Sequence, residues 1–200
     1  MTFVGLGSQR HTYFDHDYNA TRTNERAVEI PTAFAFMGVH TGPGLEVGDV
    51  LHNYTPFGDW TVVDTYAIYS TGVINMDILN YYPTGRFDWI ISISTVEHIG
   101  WDPPEEKDEG KSLRAIQHMR EMLSPSGEML LTFPTGVHPS LDAAVANGTL
   151  NPIDQVFMLR VDKQQGRSEG IWEPRPFQPV PYDHERWSAG GVWMGVLGPT

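Results

Sequence analysis

The sequence contains no cysteine. That excludes disulfides, thiolate metal sites, iron–sulfur clusters and a cysteine nucleophile. Basic residues are also scarce: 13 Lys and Arg stand against 25 Asp and Glu, for a net charge of -12. Both halves are acidic, and the densest charge cluster, Glu105-Glu106-Lys107-Asp108-Glu109, is mostly negative. Nucleic-acid binders carry a basic stripe, so no DNA or RNA partner is expected. No apolar run approaches the roughly 18 residues that span a membrane. The N-terminus lacks the basic-then-apolar pattern of a signal peptide. The expectation is a soluble, cytoplasmic chain with no membrane partner. In that compartment Asn19-Ala20-Thr21, Asn53-Tyr54-Thr55 and Asn147-Gly148-Thr149 are chance glycosylation matches. No phosphate-binding Walker loop occurs, and Gly42-Pro43-Gly44 lacks the rest of a dinucleotide fingerprint.

What is present suits one domain with a core: 200 residues, 40% hydrophobic and 19% charged. Residues 1–23 are polar and aromatic without a clear period and read as an N-terminal arm. Tyr13, Phe14, Tyr18 and Arg22 would let it fold over a cleft as a lid. His11, Asp15, His16 and Asp17 crowd the same arm, but their spacing matches no defined metal site, and no metal is expected. A helix is predicted from Asn24, a good N-cap, toward Gly38, with Glu25 in the first turn and a kink at Pro31. Thr41-Gly42-Pro43-Gly44 breaks it.

Short apolar runs follow at 45–47, 60–63 and 72–76. Phe87 to Ser94 is the strongest strand signal, nearly continuous and β-branched, as in a strand buried on both faces of a parallel sheet. Residues 111–123 repeat apolar positions at helical spacing, and Ser124-Pro125-Ser126-Gly127 stops them. A strand at 128–133, a short helix at 141–146 and strands at 155–161 and 191–197 complete the pattern. Residues 163–190 are rich in Pro, Gly and charge and read as an irregular excursion. Strands alternating with helices predict an α/β fold with a mostly parallel, Rossmann-like sheet and helices on both faces, spanning 24–200 as one domain. The connections before Trp60 and before Gly72 are too short for full crossover helices, so the first half of the sheet is compressed.

Several runs end in an acid or a glycine: Glu46 and Gly48 at the first, Asp64 at the second, Asp77 after the third. Ligands of open α/β sheets bind outside the carboxyl ends of the strands, so these acids converge on one crevice. Carboxylates there accept from ribose hydroxyls, an exocyclic amine or an ammonium. A nucleoside without phosphate suits them best, because a pyrophosphate needs amides or basic groups.

The order Leu45-Glu46-Val47-Gly48, Val63-Asp64, Asn75-Met76-Asp77-Ile78, then Phe87 through Ser94-Thr95-Val96-Glu97-His98, then Leu123-Ser124-Pro125-Ser126-Gly127-Glu128, resembles the class I S-adenosylmethionine-dependent methyltransferases over about 24–145. The later motifs are the more specific. The family's first motif ends Gly-x-Gly, whereas this chain reads Gly48-Asp49-Val50. The resemblance implies a seven-stranded sheet with an antiparallel last strand and S-adenosylmethionine as cofactor. It places Glu46 and Gly48 beside the methionyl amine and ribose, and Asp64 on the ribose hydroxyls. Asp77 and the Ile78 amide would hold the adenine, and Ser94 would face the methionine side.

His98 follows the strongest strand. An imidazole titrates near neutrality, so His98 is the candidate catalytic base for a hydroxyl acceptor; its other reading is a strand-end structural residue. Glu97 is expected to cap or pack beneath the site. The expected activity is methylation of a small-molecule acceptor, such as the hydroxyl of a sugar or related metabolite. The alternative is a non-catalytic binding module of the same fold.

Overall fold

In the computed structural model, described for residues 1–56, 58–68, 70–102, 107–161, 170–183 and 188–200, the run from Phe87 to Ile93 forms the central strand of an eight-stranded sheet. The strands are β1 (Thr2–Val4), β2 (Arg10–Thr12), β3 (Gly44–Val47), β4 (Thr61–Asp64), β5 (Val73–Asn75), β6 (Phe87–Ile93), β7 (Leu123–Pro134), β8 (Asp154–Arg160), β9 (Trp172–Arg175) and β10 (Gly191–Leu197). The helices are α1 (Arg26–Val39), α2 (Lys111–Met122) and α3 (Pro139–Ala146). The large sheet runs β5-β4-β3-β6-β7-β10-β8-β9. From β5 to β7 every pairing is parallel, and from β7 outward every pairing is antiparallel.

Two faces of β6 feed two cores, as a period of two requires. Trp89, Ile91 and Ile93 pack with Ile30, Ala33 and Phe36 of α1. Ile90 joins Met129 and Leu131 of β7 against Ala115, Ile116 and Met119 of α2 and Leu141 of α3. The expected break at Ser124–Gly127 survives inside β7 as a ladder irregularity, with Phe87 opposite Leu123 and Trp89 already opposite Glu128. The first half of the sheet is compressed as expected: between β3 and β4 a single 3-10 turn, Leu51–Asn53, replaces a crossover helix.

Two details of the strands differ from the sequence expectations. The sheet has an eighth strand, β9, drawn from the segment read as irregular and paired on the outer edge of β8. Of that excursion, 163–169 and 184–187, with Trp187, lie outside the described residues. The arm is ordered: β1 and β2 form an antiparallel hairpin in which Phe3 stacks on His11, and Phe3 enters a third core with Val28, Met158 and Trp172. Tyr13 clamps it to β9, its hydroxyl donating to the Trp172 carbonyl and accepting the Trp172 amide. Pro31 serves this attachment. A proline at position i leaves the carbonyl at i−4 without its helical donor, and the Ala27 carbonyl accepts the Phe14 amide of the arm at 3.0 Å instead. The helix begins one residue later than expected, with Glu25 at the N-cap position, and Asn24 Oδ1 accepts the Arg26 amide at 3.0 Å from just outside it.

Candidate functional site

The carboxyl ends of β3, β4 and β6 and the loop after β5 surround a cavity of about 510 Å³, within the size range of small-molecule sites. Gly48, Asp64, Asp77, Ile78, Ser94 and His98 all line it. Parallel strands in register bring residues far apart in sequence to one rim, which is why strand-end acids converge.

Gly48 makes the tightest turn. Its φ is +91°, and a Cβ there would lie 2.1 Å from Thr95 Oγ1. Only glycine allows β3 and the end of β6 to approach so closely while φ is positive. Asp64 closes β4 and gathers three backbone amides: Oδ2 accepts from Asp49 at 2.9 Å, and Oδ1 accepts from Tyr66 at 2.6 Å and Ala67 at 3.0 Å. A carboxylate has about four acceptor positions, so capacity remains toward the cavity. Val50 stands where a second motif glycine was expected, and its amide is committed to Glu46 Oε1 at 2.9 Å.

Glu46 is placed differently from the expectation. It does not line the cavity. Its Oε1 accepts from the Val50 and Leu51 amides at 2.9 and 2.7 Å, and its Oε2 accepts from the Trp60 indole at 3.1 Å. The carboxylate holds the loop after β3 rather than facing a ligand. Burial pushes the Glu46 carboxyl up, against the lowering effect of those hydrogen bonds.

Asp77 caps the turn Ile78–Asn80, accepting the Leu79 amide at 3.0 Å, and its Oδ2 meets Lys111 Nζ at 2.6 Å. Burial raises the Asp77 carboxyl, but the hydrogen bond and charge of Lys111 with the Leu79 amide bring it below its ordinary value. As the first residue of that turn, Ile78 has an amide with no partner inside it. Ser94 takes a positive φ of 38°, and its Oγ donates to Glu29 Oε1 at 2.7 Å. His98 is half exposed, with Nδ1 2.6 Å from Asp102 Oδ2 and Nε2 3.6 Å from the buried Glu97.

Residues that sequence reasoning missed include Lys111, Asp102 and Tyr66, all on the cavity wall. The Tyr66 hydroxyl donates to the Asp102 carbonyl at 3.2 Å, linking the loops after β4 and β6. The signal for Asp102 was its i,i+4 spacing from His98, since the His98 carbonyl accepts from both Trp101 and Asp102 in one helical turn. The arm residues Tyr13, Phe14, Tyr18 and Arg22 do not line the cavity; Phe14 packs on Phe34 and Tyr54 instead. In the arm, His11 stacks on Phe3, and His16 Nδ1 accepts the Tyr18 amide at 3.1 Å. Among the described residues no cluster of three metal-ligating side chains occurs, and no helix is long and apolar enough to cross a membrane.

No family model and no curated protein matches the chain in sequence. Its structure is similar to that of the N-methyltransferase NodS from Bradyrhizobium japonicum in complex with S-adenosyl-L-homocysteine. The TM-score is 0.50 at 14% identity, over 86% of this chain and 87% of that one. The fold is that of the class I S-adenosylmethionine-dependent methyltransferases. Weaker similarity extends to an S-adenosylmethionine-dependent methyltransferase from Clostridium acetobutylicum, with TM-score 0.44, 10% identity and 86% and 89% of the two chains covered. It extends also to the sugar N-methyltransferase KedS8 from Streptoalloteichus, with TM-score 0.37, 12% identity and 78% and 80% covered. Within this methyltransferase fold, β9 and the β1–β2 hairpin lie at the antiparallel end of the sheet, away from the cavity.

Proposed function

We propose that this chain transfers the methyl group of S-adenosylmethionine to a small molecule, and that the cavity is where both bind. The observation that carries the reading is the convergence of Gly48, Asp64, Asp77 and Ile78 on one cavity at the parallel strand ends. The residues fit the cofactor chemically. Asp64 keeps acceptor capacity for ribose hydroxyls. Asp77 accepts from an exocyclic amine while the Ile78 amide donates to a ring nitrogen, the pairing an adenine edge requires. The side chains of Ile78, Met76 and Ile99 offer apolar surface to the base. Glu46 acts indirectly, by fixing the loop that carries Gly48 and Asp49.

Once bound, the cofactor supplies an electrophilic methyl group on a sulfonium. The chain's own work is to align the acceptor and to take its proton. His98 is placed for the second task. With Nδ1 held by Asp102, one tautomer and one ring orientation are favoured, the arrangement that makes an imidazole an effective base. Two acceptor atoms suit such a base. One is a hydroxyl oxygen, as on a sugar or other hydroxylated metabolite. The other is an amine nitrogen, the class named for NodS.

Calorimetric titration with S-adenosylmethionine and S-adenosylhomocysteine tests the reading. Submillimolar binding by both supports it. A folded protein that binds neither is a binding module that keeps the fold without the reaction.

A further inference from the structure

The turn that follows β6 brings Thr95, His98, Ile99, Gly100 and Asp102 to the cavity wall. The His98 side chain is half exposed, so packing leaves its ring free. Asp102 and the backbone of the turn are what fix it. Behind the turn lies Ser112, the second residue of α2 and fully buried. Its hydroxyl faces away from its own helix. Oγ lies 2.7 Å from the Val96 carbonyl and 2.7 Å from the Ile99 carbonyl, which bracket His98 along the chain. The seat is close. Gly100 has φ +74°, and a Cβ there would lie 2.5 Å from Lys111 Cβ, so no side chain intervenes between the turn and the start of α2.

His138, at the N-cap of α3, completes the group. It is 1% exposed, its Nε2 lies 3.1 Å from Ser112 Oγ, and its ring meets the Trp101 indole at a centroid distance of 4.7 Å. It therefore reaches the turn twice, at Trp101 directly and at Val96 and Ile99 through Ser112. A serine hydroxyl has one proton and two lone pairs. The two carbonyls can only accept, so the Ser112 proton is shared between them and its lone pair receives a hydrogen from His138. That makes His138 the Nε2–H tautomer and leaves Nδ1 a bare acceptor. Nδ1 is buried and has no hydrogen-bond partner among the described residues. A phenyl ring would fill the same slot against Trp101 and leave no buried acceptor unpaired, a state that costs stability. What the imidazole adds is the donor at Nε2. Burial pushes the His138 imidazole below its ordinary value, against its own backbone hydrogen bond and Glu109. Lys107, whose Nζ lies 3.8 Å from the Trp101 ring centre, lowers it further. The ring is held neutral, with that single donor.

We infer that His138 is a positioning residue for the reaction: through the Ser112 hydroxyl it holds the carbonyls on both sides of His98 and so keeps Nδ1 of His98 on Asp102. This rests on the methyltransferase reading and adds to it the pair that orients the base. The donors run in one chain, from His138 Nε2 to Ser112 Oγ and from Ser112 Oγ to the Val96 and Ile99 carbonyls. Without the first donor the Ser112 hydroxyl is free to rotate, and its proton is no longer aimed at the turn. Because the turn sits directly on the start of α2, a shift at Ser112 passes to His98. The base would still be present, but its ring would no longer be held in one tautomer by Asp102.

The test is nuclear magnetic resonance of the unliganded full chain, with isotope-labelled histidine, at about pH 8.5, above the ordinary imidazole titration. Long-range nitrogen–proton correlations report which ring nitrogen carries the proton in each of the 8 histidines. His98→Ala and His138→Phe assign the two signals. Wild type should show His138 as Nε2–H and His98 as Nδ1–H, the form that donates to Asp102. His138→Phe, which keeps a ring on Trp101, should lower the ratio of Nδ1–H to Nε2–H at His98 by about threefold or more. Ser112→Ala should do the same, and the double variant should do no more than either, because the two residues act in one chain. His138→Gln, whose amide donates from the place of Nε2, should restore the wild-type ratio. The inference is overturned if His138 of the wild type is the Nδ1–H form, or if folded His138→Phe or Ser112→Ala leaves the His98 ratio unchanged. Should His138→Phe fail to fold, Ser112→Ala and the wild-type tautomer of His138 decide. Failure of S-adenosylmethionine to bind is read in the preceding titration and removes the methyltransferase reading, a result on which this unliganded measurement does not depend.

Discussion

Lys111 Nζ lies 2.6 Å from Asp77 Oδ2, tying the first residue of α2 to the turn after β5. A lysine at a helix N-terminus opposes the helix dipole, so its partner decides its worth. Asp77 is held below its ordinary value of 3.8. A depressed carboxyl contributes stability that is present above the unfolded value and is lost as pH falls through the folded one. Lys111→Met should therefore cost about 1 kcal/mol or less at pH 7, the pair being partly exposed. It should also flatten the loss of stability below about pH 3.8, where the wild type declines. Urea denaturation at pH 7, 5, 4 and 3 measures both, and an acid limb equally steep in the two proteins would refute the pairing.

Gly48→Ala should destabilise by about 1–3 kcal/mol, because an L-residue at φ +91° is strained and its Cβ would collide with Thr95. Thr95→Ala removes the Oγ1 and Cγ2 atoms, 2.1 and 2.7 Å from that Cβ. Adding Thr95→Ala to Gly48→Ala should therefore recover part of the loss and leave the cost of φ and of the remaining Thr95 Cβ, 2.8 Å away. The double-mutant cycle must then be non-additive; simple additivity would mean that no close approach exists in solution.

Asp64→Ala should weaken S-adenosylmethionine binding by about 1.5–3 kcal/mol, the range for hydrogen bonds to a charged group. Part of that loss comes from the loop. Asp64 holds the amides of Asp49, Tyr66 and Ala67, which flank the cavity. Calorimetry on a variant shown by circular dichroism to be folded decides the matter, and unchanged affinity removes Asp64 from the site.

The sheet was legible because its signals are local. The run Phe87–Ile93 is apolar on both faces, α2 keeps a helical period, and strand-end acids are visible as letters. Lys111 was not legible, because what defines it is a partner across a loop. Asp77 is 34 residues before Lys111, and nothing in either neighbourhood points to the other. Glu46 misled for the same reason: an acid at a strand end reads alike whether it faces a ligand or, as here, the amides of Val50 and Leu51. Glu25 read as a helix-dipole partner and is instead buried against the Ala189 amide. The arm hairpin and β9 were hidden by length, three and four residues being too few to establish a period.

His98→Ala should lower the single-turnover methylation rate about 10²–10⁴-fold, the usual contribution of a positioned base, with cofactor affinity nearly unchanged. Asp102→Asn should lower the rate less and alter the shape of the pH–rate profile, since the Nδ1 partner changes from acceptor-only to one that can also donate. A His98→Ala rate within about threefold of wild type would assign the imidazole a structural role and leave alignment as the source of rate.

Glu97 carries a stability cost that can be measured without any acceptor. Burial raises its folded-state carboxyl well above 4.5. Between the unfolded and folded values the native protein binds one more proton than the unfolded chain. Stability must therefore fall as pH rises through that window. Glu97→Gln keeps the shape and removes the titration, so it should be less sensitive to pH above 4.5 and more stable than wild type at pH 8. Chemical denaturation of both proteins from pH 5 to 9 tests this. A wild type whose stability does not fall relative to the variant across that range would show that Glu97 ionises freely, with a counter-charge beside it in the unliganded protein.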